Sequence, residues 1–79
     1  MKPEDRYHRF VHWSEEDQCY IGYCPDLYVG GVCHGENEEA TYAELCIVVR
    51  DEIKHRLAKQ ESLPKPSVRA TRDLDFLAA

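Results

Sequence analysis

The stretch Tyr20-Ile-Gly-Tyr-Cys-Pro-Asp-Leu27 decides the fold, together with Gly30, Gly31 and Gly35 just after it and a helical pattern that opens at Asn37. Pro25 has no amide hydrogen to give to a strand ladder, so a strand over Cys19 to Cys24 ends there. Asp26-Leu27 turns the chain, with the Asp26 carboxylate suited to bonding its own backbone. A third strand, Tyr28 to His34, carries Gly30-Gly31 inside it, and glycine within a strand marks a bulge or a close approach of backbone. Upstream, Arg6 to Trp13 is rich in the aromatic and β-branched residues that suit a pleated, half-buried surface. Alternation puts Tyr7, Arg9, Val11 and Trp13 on one face, and Phe10 with His8 and His12 on the other. The polar run Ser14-Glu-Glu-Asp-Gln18 joins the first two strands into an antiparallel hairpin.

Downstream of the glycines the period changes from two to 3.6. Asn37 is placed to cap a helix, and Glu38 and Glu39 fall in the first turn, where negative charge suits the helix dipole. The pattern runs to about Lys59. Tyr42, Cys46, Val49, Ile53 and Leu57 form one stripe, widened by Leu45 and Ala43 and further by Ile47 and Val48. Glu52 and Arg56 make an i,i+4 pair on the solvent side, worth about 0.3 kcal/mol. Pro64 and Pro66 stop the helix and hold Leu63-Pro-Lys-Pro-Ser67 extended. Ser67 to Thr71 is a candidate short fourth strand. Arg72 to Ala79 is either a frayed tail or, through Leu74, Phe76 and Leu77, an apolar hook onto a partner. The division is therefore one domain over residues 1–71 and a tail over 72–79, of α+β class: a thin sheet with one helix laid across it.

Composition narrows the function. A chain of 79 residues is one domain, and at this size only about 60% of the unfolded surface is buried, so stability is marginal without a staple or a partner. No apolar run is long enough to span a membrane, and Met-Lys-Pro-Glu-Asp-Arg leads into no apolar segment of the signal-peptide kind. A cytoplasmic location is expected, with Cys19, Cys24, Cys33 and Cys46 as free structural thiols rather than a disulfide framework. The net charge of −5 runs against nucleic-acid binding and favours a partner with a positive surface.

The order of these features resembles the HicB family of antitoxins. A tyrosine opens the second strand, Pro-Asp-Leu ends it, a glycine-flanked third strand follows, Glu-Glu-Ala opens the helix and Leu-Pro-Lys-Pro closes the region. Tyr20, Pro25, Asp26, Leu27, Gly31, Gly35, Glu39, Ala40 and Pro64 fall on the family's usual pattern, and the likeness covers about residues 6 to 68. The resemblance implies a partial RNase H-like fold, β-β-β-α-β, with a three-stranded antiparallel meander, a crossover helix and a short fourth strand parallel to the first. It also implies a function: binding a small basic HicA-type toxin that cleaves mRNA and covering its catalytic surface. The chain differs from the pattern in two respects. Asn37 caps a shorter turn than the family's usual threonine, and the stretch after Pro66 is too short for the C-terminal DNA-binding segment that many members carry, so DNA binding is not expected. An orphan HicB-like regulatory or small-ligand module is the alternative.

Catalytic and metal chemistry is not expected. Two-metal hydrolysis needs converging carboxylates, and the strand interiors hold none. Cys19 and Cys24 are an odd number apart and point to opposite faces, against a zinc site with Cys33 and His34. Cys46 and His55 are roughly 13 Å apart along a helix, too far for a nucleophile and its base. No cofactor is implied. The aromatic side chains Trp13, Tyr20, Tyr23 and Tyr28 exceed what a core under one helix hides, which marks them as candidate partner-binding residues on an uncovered sheet face, toward a toxin or a second copy in a homodimer. His8 and His12 share a face and are either solvated or part of a pH-sensitive contact surface.

Overall fold

Strands β1 (Phe10–Ser14), β2 (Cys19–Tyr23) and β3 (Gly31–Gly35) precede helix α1 (Glu38–Ala58) in a computed structural model that describes residues 1–67. The strands lie in the order β1-β2-β3, both pairings antiparallel, and α1 packs across the sheet. The α+β class and the three-stranded meander followed by one helix agree with the sequence. From residue 68 on, the expected fourth strand and the tail lie outside the described residues.

Two strand starts differ from expectation, while each strand ends within one residue of it. β1 starts at Phe10 rather than Arg6, because Pro3–Arg6 forms a 3-10 turn instead. Pro3 at its start has its φ fixed near the helical value, and the Asp5 carboxylate accepts from the Lys2 amide at 3.1 Å. β3 starts at Gly31 rather than Tyr28. The Cys24 carbonyl accepts from the amides of both Leu27 and Tyr28 at 3.0 Å, so the turn after Pro25 takes Tyr28 out of the ladder. Gly30, at φ 80°, then makes a left-handed step that a side chain would strain. The bulge predicted by Gly30-Gly31 is present: Tyr23 faces Gly31 while Gly22 faces Cys33, leaving Val32 as the extra residue.

The helix begins as its sequence predicts. Asn37 Oδ1 accepts from the Ala40 amide at 2.7 Å, a cap worth about 1 kcal/mol. Its buried face is rotated from the expected stripe. Thr41, Leu45, Val49 and Ile53 are buried, whereas Tyr42 and Leu57 are 40% and 49% exposed. Two glycines set the rotation. A methyl group on Gly22 would lie 3.3 Å from the Leu45 side chain, and one on Gly35 would lie 2.5 Å from Thr41 Oγ1, so α1 descends where the sheet has no side chains. Thr41 tolerates this position because its hydroxyl donates to the Asn37 carbonyl at 2.7 Å.

Tyr7, Cys24, Leu27, Leu45, Val49 and Ile53 form the core. At its end α1 closes with the Glu61 amide donating to the Arg56 carbonyl at 2.9 Å, around Gln60 at φ 61°. The returning chain is tied down twice. The Tyr7 hydroxyl donates to the Pro64 carbonyl at 2.6 Å, and the amide of Ser67 donates to the Asp26 carboxylate at 3.2 Å, with the Ser67 hydroxyl on the same carboxylate. Asp26 was expected to bond its own turn; it pins the segment after the helix instead. The Glu52–Arg56 pair forms at 2.6 Å but is half-buried rather than on the wet side, and Arg56 reaches on to the Leu27 carbonyl at 3.3 Å.

Candidate functional site

Strand register assigns every side chain to one of two faces. Val11, Gly22 and Cys33 form a cross-strand row, and Gly22 abuts Leu45, so that face is covered by α1. Trp13, Tyr20 and Gly35 form the next row on the same side. The opposite face carries Phe10 beside Tyr23, then His12, Ile21 and His34 in one row, then Ser14 beside Cys19. Among the described residues, no element packs on this second face.

The four expected partner-binding aromatics are thus not on one surface. Tyr23 alone lies on the bare face. There it stacks on Phe10 at 5.0 Å between ring centroids, and Phe10 stacks on His8, also at 5.0 Å. Trp13 and Tyr20 make an edge-to-face pair at 5.0 Å on the helix side, near the start of α1. Trp13 is still 38% exposed. Tyr28 is half-buried against the core, where burial and the nearby Glu52 push its phenol above the usual range. The cause of the split is the alternation of strand side chains: Tyr20 and Tyr23 are an odd number of residues apart.

Two surfaces emerge. On the helix side, an open groove of about 410 Å³ is lined by Val11, Glu38, Glu39 and Tyr42, one pleat along β1 from Trp13. It sets the Tyr42 ring beside two carboxylates, an arrangement that can receive a lysine or arginine side chain. On the bare side, a shallow hollow of about 440 Å³ is bordered by Asp17, Cys19, Ile21, Gly31 and His34. Sequence reasoning placed His8, His12 and Phe10 together, but it missed His34. That residue joins the row of His12 only once the bulge has shifted the register of β3.

All four cysteines are free thiols. Burial pushes the Cys24 and Cys33 thiols up, and Cys33 Sγ contacts the Thr41 carbonyl at 3.6 Å. Burial likewise raises the Tyr42 and Tyr28 phenols. A group whose folded pKa lies above its unfolded value stabilises the fold at low pH and stops doing so as pH rises through the folded value. Stability is therefore expected to decline once the pH passes the ordinary thiol range, about 8.5. Thermal midpoints across the alkaline range check this, and Cys24→Ala is expected to flatten the first part of the decline.

Among the described residues, no three His, Cys, Asp or Glu side chains converge to hold a metal ion, and no helix is long and apolar enough to cross a membrane. No family model, curated protein or solved structure matches the chain.

Proposed function

We propose that this chain is a HicB-like antitoxin: a cytoplasmic binding protein that masks the RNA-cleaving surface of a small basic HicA-type toxin. Its support is the order of elements, a glycine-bulged three-stranded meander feeding one Asn-capped helix, on a chain of net charge −5. In this proposal the fold is the partial RNase H-like one, with the chain after Ser67 returning as a strand parallel to β1. The observation that carries the partner assignment is the groove of Glu38, Glu39 and Tyr42 beside Trp13, which combines carboxylates with exposed aromatic area. A toxin surface that binds RNA is basic, and its arginines fit that chemistry.

Calorimetric titration into a HicA-type toxin tests the assignment. Binding is expected, weakening as salt is added, with Trp13→Ala raising Kd by about tenfold or more. Absence of heat at saturating protein would remove the toxin. One observation favours the second reading, an orphan HicB-like regulatory or ligand-binding module: the hollow over Ile21 and Gly31 is of a size that small molecules occupy.

A further inference from the structure

The face that α1 turns away from the sheet is patterned as a contact seam rather than as a wetted surface. Ala40, Ala43, Ile47, Arg50, Lys54 and Leu57 all lie exposed along it, at alternating spacings of three and four residues. That spacing averages about 3.5 residues, the repeat that keeps one stripe against a second helix. A wetted helix face is polar throughout, yet Ala40, Ala43, Ile47 and Leu57 are apolar, and Ile47 and Leu57 are each 49% exposed. Among the described residues, no element covers the stripe.

We propose that this stripe pairs with the same stripe of a second copy, α1 against α1 in antiparallel directions. The order of residues selects the copy, because the stripe is symmetric about its midpoint. A two-fold axis passing between Val48 and Val49 sets Ala40 opposite Leu57, Ala43 opposite Lys54 and Ile47 opposite Arg50. Each layer joins a shorter side chain to a longer one, as interdigitating layers require. The alanines let the two backbones approach, and the aliphatic stems of Arg50 and Lys54 lie over apolar surface with their charged ends at the rim. Charge selects the direction. Glu39 and Glu44 mark the N-terminal half of the outer surface and Arg50 and Lys54 the C-terminal half, all four exposed. Parallel helices bring acid to acid; antiparallel ones bring acid to base and oppose their dipoles. Lys54 then stands between Glu44 of the second copy and Asp51 of its own chain, three residues away.

The 21 residues of α1 span about 31 Å, so the seam runs along most of one side of a molecule 40 Å across. One helix face makes a small interface, and the association is correspondingly weak and reversible, populated at about 0.1 mM protein. The stripe includes none of the residues that line the groove of Val11, Glu38, Glu39 and Tyr42, so the pairing stands apart from the antitoxin assignment.

Sedimentation equilibrium of the full chain, with no toxin present, tests the pairing by charge exchange. Lys54→Glu is expected to raise the dissociation constant about fivefold or more, and Glu44→Lys to do the same, since each sets like charges opposite one another. Carrying both changes restores opposite charges and is expected to recover most of the loss. Glu44→Lys also moves the net charge of −5 two units toward zero, so an association governed by overall repulsion tightens where the seam weakens. Ile47→Asp, beside the axis, is expected to weaken the pairing about tenfold. All three positions are exposed, and circular dichroism verifies that the variants fold. Four results overturn the assignment: a monomer up to about millimolar concentration, an association indifferent to Ile47→Asp, one that Glu44→Lys tightens, or no recovery in the combined variant.

Discussion

Leu45→Ala is expected to lower the free energy of unfolding by about 3 kcal/mol. Leu45 is 0% exposed, and the sheet beneath it offers Gly22, which has no side chain to move into the vacated space. The cavity therefore stays open, which puts the loss well into the range for buried leucines. In a domain this small that is a large part of the total, so a considerable unfolded fraction is expected at 37 °C. Urea titration followed by circular dichroism measures it. Leu57→Ala is the control: Leu57 lay on the stripe expected from sequence but is half-exposed, and its loss is expected to be under about 0.5 kcal/mol. Equal losses at the two positions would mean that α1 presents the other face to the sheet.

Gly22→Val is expected to be at least as damaging, about 3 kcal/mol or more. A Cβ at this position lies 2.9 Å from Cys33 Sγ and 3.3 Å from the Leu45 side chain, so a branched residue has neither sheet nor helix side free. The milder Gly22→Ala separates the two contacts. Combined with Cys33→Ala it is expected to recover part of the single-variant loss, because the tightest contact is the sulfur atom. A coupling of about 0.5 kcal/mol or more, as residues in contact show, is the expected result of the double-mutant cycle. Strict additivity would place Cys33 away from Gly22.

Much of the fold was legible. Pro25 ended β2, the polar run at Ser14 made the hairpin, the Gly30-Gly31 pair marked a bulge, and Asn37 capped α1 as its side chain chemistry requires. These are local effects, in which a residue's own backbone preferences decide. What was not legible depends on which residue meets which across the molecule. The rotation of α1 was hidden because the expected stripe counted apolar residues, while the sheet selects the helix face by the gaps at Gly22 and Gly35 and so buries Thr41 in place of Tyr42. Asp26 reads from sequence as a turn residue, since nothing near it in the chain announces Ser67 as its partner.

The candidate site divides in the same manner. That one helix leaves a sheet face without a covering element among the described residues follows from the element count. Which aromatics occupy that face follows from parity and register. Parity alone separates Tyr20 from Tyr23; register brings His12 and His34 to either side of Ile21 and requires the bulge to be located first. Tyr28 was misplaced for another reason. The turn stabilised by the Cys24 carbonyl removes it from β3 and lays it against the core. The corrected surfaces are chemically more distinct than one aromatic face: a groove that sets Glu38 and Glu39 beside Tyr42, and a sheet face that carries Phe10, Tyr23, Ile21, His12 and His34.

The most direct test of the antitoxin assignment is cleavage of a labelled RNA by a HicA-type toxin with this chain titrated in. Cleavage is expected to fall to background at a fixed ratio of the two proteins, with the RNA left intact by the chain alone. Cleavage that continues unchanged at saturating concentration would contradict it.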